Sequence, residues 1–300
     1  MDNWLRTGRA AERSAADYPF GQYSDDTQLA RELLLSFQEQ RRWDTPAFAV
    51  RLAHLFRDGR DVGAGQGTRS AALRLLMGVP WSEAGTAAPY AGNGSAMRAG
   101  PLGLLFSDAA AVSRAAREQS RITHLDPRCG AGAVAIALAV FIAGLGEPVD
   151  AAGFLEDIAG SVELDDVSVA QAIRGLSQWV SLDPAAAARH LHQSGLDCAH
   201  PEWRGISAFV TPSVVWSLYA FLRSPDDYWE TMCTAIGVGG DTDSMAAMAG
   251  AISGARSGPA VLPQDLVSRL HDRGEWGAEA LNSLARDCAA IVHVPSRPVK

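Results

Sequence analysis

Cysteine is scarce in this 300-residue chain, and the positions of its four cysteines argue against two classes of protein. The four residues are far apart and form no Cys-x-x-Cys pair. A disulfide framework or a thiolate zinc site is therefore not expected, and reduced thiols in a cytoplasmic protein are the simpler account. The first residues carry scattered charges without an apolar segment, so we expect no signal peptide.

Basic charge is also in short supply. Lysine and arginine total 26 against 34 aspartate and glutamate residues, which gives a net charge of -8 and a pI near 5.4. No basic patch dominates, which argues against nucleic acid or an anionic membrane as a partner. Residues 129–146 carry no charge, but this stretch barely reaches the length that spans a bilayer. We interpret it as a fully buried central helix, with a transmembrane segment as the alternative.

Signals for β-strands are scarce, and the chain shows no βαβ alternation, heptad series or fixed-period repeat. Apolar residues recur instead at helical spacing, as in Leu29, Leu33, Leu34 and Phe37. The sequence therefore predicts an all-α fold, a single compact domain of about a dozen helices. We place this domain at residues 23–294, between an irregular N-terminal segment (1–22) and a tail (295–300).

Helical patterns continue along the chain after the first one, and glycine or proline marks several of their ends. Residues 81–91 separate two of them as an extended connection. The later helices are expected at residues 46–58, 69–77, 108–120, 129–146, 149–161, 166–180, 184–194, 208–222, 225–236, 245–255, 263–273 and 276–291.

Two short acidic stretches carry similar chemistry more than two hundred residues apart. The first acidic motif is Ser24-Asp25-Asp26-Thr27, and the second is Gly240-Asp241-Thr242-Asp243-Ser244. Each stands before a helical pattern, so a helix N-cap at Asp25 or Asp241 explains either motif alone. A cap needs only one side chain, however, whereas each motif has two carboxylates and a hydroxyl. The repetition favours a shared site over two caps.

A shared site would have to neutralise four carboxylates. Carboxylates that converge in one pocket repel one another, and without compensation some would be protonated at neutral pH. Two divalent cations cancel four negative charges. Because neither motif contains His or Cys, the hard oxygen ligands favour magnesium or manganese over zinc or copper. Such ions usually lie about 3.5–4 Å apart in a two-metal site.

Two glycine-containing segments and one histidine lie between the acidic motifs. The first segment starts at Asp61-Val62-Gly63 and runs to Thr68, and alone it is weak evidence because glycine often separates helices. The segment 92–98 could turn sharply and present backbone N–H groups to a ligand, although a helix-capping Asn-Gly turn explains it equally well. A lone histidine such as His124 is more often a helix cap or a surface residue than a catalytic group. Only the motifs around it make His124 a candidate functional residue.

Taken in chain order, these motifs resemble those of the ADP-ribosylglycohydrolase family. That family includes dinitrogenase-reductase-activating glycohydrolase and the hydrolases of ADP-ribosylarginine and ADP-ribosylserine. The resemblance runs from about residue 23 to residue 254. It is carried by Ser24-Asp25-Asp26-Thr27, Asp61-Val62-Gly63, Gly92-Asn93-Gly94-Ser95-Ala96-Met97-Arg98, Thr123-His124-Leu125-Asp126-Pro127 and Gly240-Asp241-Thr242-Asp243-Ser244.

The resemblance implies an all-α fold with a binuclear magnesium or manganese centre at the bottom of an ADP-ribose cleft. It also assigns roles by position. The implied metal ligands are Ser24, Asp25, Asp26, Asp241, Asp243 and Ser244. The implied catalytic residues are Asp61, which would act in proton transfer near the scissile bond, together with Asp25 and Asp243. The implied substrate-binding residues are Asn93, Gly94, Ser95, Met97 and His124.

The implied activity is a metal-dependent hydrolysis at the anomeric carbon of the distal ribose of ADP-ribose. The cations would orient the ribose hydroxyls, and cleavage of an N- or O-glycosidic bond would pass through an oxocarbenium-like transition state. The substrate would be an ADP-ribosylated protein or another ADP-ribosyl acceptor, and we expect a monomeric enzyme. The alternatives are a non-catalytic ADP-ribose binder and a hydrolase of a free derivative such as O-acetyl-ADP-ribose.

The chain departs from the family pattern before the first acidic motif. Family members usually carry a Gly-Asp-Ala-x-Gly helix there, with a nearby glutamate that approaches the metals. No such pattern precedes Ser24, and neither Glu12 nor Asp17 replaces it convincingly. We expect this departure to affect catalytic rate and substrate gating more than the metal site.

Overall fold

The fold consists of α-helices joined by short loops, as seen in a computed structural model that describes residues 18–195 and 205–292. Within these ranges 14 α-helices and two single 3₁₀ turns form, and residues pair as β-bridges only in isolation. The predicted all-α fold is confirmed. The helices are α1 (Asp25–Gln40), α2 (Thr45–Arg57), α3 (Gln66–Leu76), α4 (Leu102–Leu105), α5 (Ala109–Arg121), α6 (Pro127–Gly144), α7 (Ala151–Val162), α8 (Val167–Gly175), α9 (Pro184–Leu191), α10 (Val210–Arg223), α11 (Tyr228–Gly237), α12 (Thr242–Ser257), α13 (Gln264–Val267) and α14 (Ala278–Ile291).

Helix α6 is the centre around which the others pack. It begins at a proline, and the Asp126 carboxylate caps it by accepting the Arg128 N–H at 3.0 Å. Helices α4, α5, α7, α10 and α12 all contact it. By length and composition alone α6 could cross a membrane, but 67% of its residues are buried inside the protein. This burial agrees with the prediction of a central helix.

Small residues let neighbouring helices approach α6 closely. Gly103 of α4 lies so near α6 that a Cβ there would overlap the Ala137 carbonyl oxygen and lie 2.7 Å from the Phe141 nitrogen. The obstructing atoms belong to the backbone, which cannot turn aside as a flexible side chain can. The alanine and glycine content of α6, visible in the sequence, therefore sets the distance between the helices of the core.

One predicted helix, at residues 263–273, is wrong for most of its length. Helix α13 ends at Val267, and the following backbone pairs with the chain just before the first acidic motif. The His271 N–H donates to the Gly21 carbonyl at 3.0 Å, and the Tyr23 N–H donates to the His271 carbonyl at 3.2 Å. Asp272 is then buried, where it accepts hydrogen bonds from Gln28 and Arg31. These tertiary contacts override the local helical pattern.

The predicted domain limits remain predictions. Residues 1–17 and 293–300 lie outside the described ranges, so the irregular segment, the tail and the departure from the family pattern near Glu12 and Asp17 are all untested. The predicted connection at residues 81–91 contains no helix. The short helix α4 had no counterpart among the predicted helices.

Adding one methyl group at Gly103 should destabilise the fold, whereas the same change on an open helix face should stabilise it. We expect Gly103→Ala to lower the free energy of unfolding by about 1–3 kcal/mol, because the new Cβ meets fixed backbone. Gly160 of α7 has no atom within 4 Å of the added Cβ, so Gly160→Ala should raise it by about 0.5–1 kcal/mol. Urea denaturation of both variants tests this. Equal stability of the two would show that the α4–α6 contact is looser than described.

Candidate active site

A single cleft collects residues from six separate parts of the chain. It contains about 610 Å³ of space, part of it open to solvent. The starts of α1, α3 and α12 border it, together with the loop between α3 and α4. The lining residues are Asp25, Asp26, Gly63, Gly65, Gly67, Thr68, Tyr90, Gly92, Asn93, Gly94, Met97, His124, Ala208, Asp241, Asp243 and Ser244.

The first acidic motif stands at the N-terminus of α1, with both carboxylates buried. The Asp25 N–H donates to the Val62 carbonyl at 2.7 Å, which ties the motif to the Asp61-Val62-Gly63 segment. The Ser24 hydroxyl donates to one oxygen of Asp26 at 2.6 Å. The other oxygen, Oδ1, is buried and has no hydrogen-bond partner. A carboxylate oxygen in this state is available for a cation.

The second acidic motif depends on glycine for its position. Gly240 has a φ of +88°, and a Cβ there would overlap the Ile206 carbonyl oxygen. Only glycine adopts this backbone at such close approach. The next residue then pairs with the same segment, because the Asp241 N–H donates to the Ile206 carbonyl at 2.9 Å. The Asn93 amide also donates to the Asp241 carboxylate, at 2.7 Å.

Neither acidic motif caps its helix. The N-cap residues of α1 and α12 are Ser24 and Asp241, and neither side chain accepts a hydrogen bond from the helix backbone. Elsewhere in the described chain seven helices do begin with a capping aspartate, which accepts backbone N–H groups. Those residues are Asp44, Asp108, Asp126, Asp150, Asp166, Asp183 and Asp227. The capping explanation of the motifs therefore fails.

The carboxylates of the cleft are crowded and short of positive charge. Burial is the main cause that raises the pKa of Asp25 to about 8, and the charges of Asp26 and Asp243 add to it. Burial and the charge of Asp243 raise the pKa of Asp26 to about 7. The same two causes raise the pKa of Asp241 to about 6, against the opposing hydrogen bond from Asn93. Among the described residues no Lys, Arg or His pairs with any of these carboxylates.

The donor set fits hard divalent cations. Four carboxylates, among them Asp26 with its unpartnered oxygen, and the Ser244 hydroxyl line the cleft, and all are oxygen ligands of the kind that magnesium and manganese prefer. In the ranges 18–195 and 205–292, no three His, Cys, Asp or Glu side chains already stand at metal-ligand spacing. The carboxylates thus share a cleft without forming a closed ligand shell, as expected when like charges repel one another.

A second group of lining residues surrounds two aromatic rings. The rings of Tyr90 and His124 stack with centroids 6.0 Å apart, and the Tyr90 hydroxyl accepts the Gly67 N–H at 3.1 Å. A Cβ at Gly94 would lie 3.0 Å from the Thr68 hydroxyl and 3.1 Å from the His124 ring. The glycines therefore keep open a space beside the rings that a side chain would fill.

Most of the predicted site residues line the cleft, and three do not. Ser24 reaches it only through its hydrogen bond to Asp26. The Ser95 hydroxyl is fully buried away from the cleft, where it donates to the Cys129 carbonyl at 3.2 Å. The carboxylate of Asp61 forms an ion pair with Arg69 at 2.7 Å. The roles assigned to these and the other site residues stay predictions.

Sequence reasoning missed three side chains that border the cleft. Tyr90 belongs to the connection that was expected only to be extended, although an aromatic residue two positions before Gly92 is a usable signal. Thr68 is the last residue of the glycine-rich segment 61–68, which alone is weak evidence for a ligand site. Ala208 carries no sequence signal, and it joins the site because its carbonyl accepts the Asn93 N–H at 3.0 Å.

Comparisons with known proteins agree with the motifs. A family model for ADP-ribosylglycohydrolases matches residues 3–297. ADP-ribosylhydrolase ARH3 of Homo sapiens is 31% identical over 283 residues, covering 85% of this chain and 75% of the relative. An uncharacterized protein of Archaeoglobus fulgidus is 30% identical, covering 86% of this chain and 78% of the relative. A solved structure described as an ADP-ribosylglycohydrolase-related protein complex is 26% identical with a TM-score of 0.67, covering 91% of this chain and 82% of that one.

Without divalent cations, the folded protein should lose stability as the pH rises above 6.5. The raised pKa values of Asp25 (about 8) and Asp26 (about 7) mean that the folded state holds protons that the unfolded chain has already released. The free energy of unfolding therefore falls as pH rises through these values. The lowered pKa of His124 (about 3) has the opposite effect, but only below about pH 6.5, where an unfolded histidine titrates.

Thermal denaturation in a chelator at pH 6.5 and 8.5 tests this prediction. We expect a lower midpoint at pH 8.5, and a larger rise on adding magnesium at pH 8.5 than at pH 6.5, because protons no longer compete with the cation. Asp25→Asn should flatten the pH dependence, since it removes the carboxylate with the highest pKa. A midpoint that rises between the two pH values in the wild type would contradict the described crowding.

Proposed function

Because the chain belongs to the ADP-ribosylglycohydrolase family, we propose that it cleaves the glycosidic bond at the distal ribose of an ADP-ribosyl group with two bound divalent cations. The family makes the chain a glycosidase-type hydrolase that acts on ADP-ribose derivatives. The observation that carries the metal-dependent mechanism is the cleft with four carboxylates, no pairing cation among the described residues and one unpartnered oxygen of Asp26.

The two acidic motifs would hold the cations. Their six ligands are those predicted from the motifs, namely Ser24, Asp25, Asp26, Asp241, Asp243 and Ser244. When bound, magnesium or manganese would orient the ribose hydroxyls and balance the negative charge of the four carboxylates. Asn93 prepares the site by holding Asp241 through its amide.

The residues around Tyr90 and His124 would hold the rest of the ligand. Tyr90 lines the cleft and is 37% exposed as a residue, which suits stacking on a nucleotide base. The glycine turn beside it could approach a diphosphate closely with backbone N–H groups. His124, Asn93, Gly94 and Met97 also border this space. The division of the cleft into an acidic part and an aromatic part matches a ligand with a ribose at one end and a base at the other.

Proton transfer would fall to carboxylates in and beside the cleft. We keep Asp25 and Asp243 as residues that act on the reacting ribose, because both line the cleft. Asp61 forms an ion pair with Arg69, so a role for Asp61 in proton transfer requires Arg69 to turn away. The monomeric state and the cytoplasmic location remain part of the proposal.

The first experiment is to measure release of ADP-ribose from serine-linked and arginine-linked ADP-ribosyl peptides and from O-acetyl-ADP-ribose. Reactions contain magnesium, manganese or a chelator. We expect a loss of about 100-fold or more in kcat/KM on chelation and in Asp241→Asn with Asp243→Asn, because metal stabilisation of the transition state is worth several kcal/mol. The preferred substrate separates protein-linked from free ADP-ribose derivatives.

Asp150→Asn is the matched control for this experiment. Asp150 caps α7 with its carboxylate, lies outside the cleft lining, and asparagine caps a helix equally well. Its activity should therefore equal that of the wild type. Metal-dependent binding of ADP-ribose without release from any of the three substrates would favour the non-catalytic binder. If the chelator left the rate of ADP-ribose release unchanged, the metal-dependent mechanism would be refuted.

The role of Tyr90 can be measured separately. Tyr90→Ala should weaken ADP-ribose binding by about 5- to 150-fold, because a stacked base contributes about 1–3 kcal/mol. Tyr90→Phe keeps the ring and loses only the hydroxyl that accepts the Gly67 N–H, so its affinity should stay much closer to that of the wild type. Calorimetric titration in magnesium compares the three proteins. Unchanged affinity in Tyr90→Ala would place the base elsewhere.

A further inference from the structure

Arg98 is a fully buried cation directly behind the cleft. Its guanidinium donates four hydrogen bonds: to the Gly94 carbonyl at 3.0 Å, to the Gln119 side chain at 2.8 Å, to the Gln119 carbonyl at 3.0 Å and to the Thr123 hydroxyl at 2.9 Å. It also lies over the Phe48 ring, 5.6 Å from the centroid. In the described part of the chain no carboxylate forms an ion pair with it. Its hydrogen bonds go only to neutral acceptors, and only the charge of Asp25 opposes the cost of burying this cation.

The hydroxyl of Thr123 links Arg98 to His124. A guanidinium can only donate, so the Thr123 oxygen is the acceptor in that bond. The hydroxyl proton is then available for another acceptor. The remaining polar atom beside it is Nδ1 of His124, at 2.8 Å. Thr123 is completely buried, and no other acceptor for its proton is found among the described residues. Nδ1 therefore accepts the bond.

An accepting Nδ1 fixes the protonation of the rest of the ring. A neutral imidazole carries one proton, so it must then stand on Nε2. The imidazolium form is disfavoured, because burial and the nearby charge of Arg98 lower the pKa of His124 to about 3, against a smaller opposing effect of Asp126. The ring is thus neutral at physiological pH, with its proton on one defined nitrogen.

Nε2 borders the open space of the cleft. Positions for a Cβ at Gly92 and at Gly94 would each lie 3.6 Å from Nε2, and both glycines line the cleft with His124. No group among the described residues forms a hydrogen bond with this nitrogen. A donor is therefore presented to the ligand space without a partner of its own.

We infer that Arg98 and Thr123 act as positioning residues that hold His124 as a neutral imidazole whose Nε2–H donates to an acceptor oxygen of the bound ligand. The part about the ligand rests on the proposed function, in which the acceptor belongs to the ribose or diphosphate of ADP-ribose. Arg98 performs two tasks at once, since its bond to the Gly94 carbonyl also holds the turn beside the ring. Without the hydrogen bonds from Arg98 to Thr123 and from Thr123 to His124, the His124 ring would stay in place, but neither ring nitrogen would be selected to carry the proton.

The tautomer can be observed without any ligand. Long-range ¹H–¹⁵N correlation spectra of the uniformly labelled full-length protein report which ring nitrogen carries the proton, and His124→Gln identifies the signals. We expect a protonated Nε2 and an unprotonated Nδ1 that do not change between pH 6 and 8. Thr123→Ser keeps the hydroxyl and should preserve this pattern, whereas Thr123→Val should move the Nδ1 signal or populate the second tautomer. A protonated Nδ1 or an imidazolium in the wild type would overturn the inference.

Ligand binding tests the second half of the inference. The glutamine amide places its N–H₂ near the position of Nε2, and the shorter asparagine places it near Nδ1, so His124→Gln should retain more affinity for ADP-ribose than His124→Asn. Thr123→Val should weaken binding by about fivefold, and Thr123→Ser should restore it. Equal affinities for the Gln and Asn variants would contradict a donor at Nε2. If the wild type bears Nε2–H but does not bind ADP-ribose, the proposed function fails and the tautomer assignment stands.

Discussion

The mutual repulsion of four carboxylates in one cleft, of which Asp25 and Asp26 are buried, is the constraint on which the site depends. Asp25 and Asp26 reach the cleft from α1, and Asp241 and Asp243 reach it from the start of α12. The protein provides fixed positions for these groups through the Asp25–Val62 and Asp241–Ile206 backbone bonds. Among its described residues no Lys, Arg or His forms an ion pair with them, and the buried Arg98 behind the cleft acts on Asp25 only through its charge. The geometry is built in advance, and in the proposed function two divalent cations would supply the neutralising charge.

Asp272, in the described part of the chain, shows how a buried carboxylate can instead be fully paired. Asp272 is almost fully buried and accepts bonds from Arg31 at 2.7 Å and from Gln28 at 3.0 Å. Gln28 also accepts the Val62 N–H at 2.9 Å, so this network supports the segment that carries Asp61. Burial of charge is stable in such places because every polar atom has a partner. The unpartnered oxygen of Asp26 is an exception that points to function.

How far the sequence predicts the structure depends on how local each signal is. The acidic motifs could be recognised because ligand pairs, hydroxyls and the following helix lie within a few residues of one another. The helix predicted at residues 263–273 was wrong because its C-terminal half pairs with residues 21–23, far away in the chain. The orientation of Ser95 depends on its hydrogen bonds with Ser120 and Cys129. Ala208 lines the cleft because of its hydrogen bond with Asn93. Contacts of that range leave no local pattern, so the exact lining of the cleft could not be deduced.

Asn93 joins the two parts of the cleft in one residue. Its amide holds Asp241 in the acidic part, and its backbone belongs to the glycine turn beside the aromatic rings. A contact that fixes the Asp241 carboxylate therefore also restricts the glycine turn. A contact that fixes the turn likewise restricts the carboxylate. If a cation and a nucleotide bind at the two ends as proposed, any coupling between them through Asn93 is reciprocal. A cation that strengthens nucleotide binding through Asn93 must itself be held more tightly, by the same factor, once the nucleotide is in place.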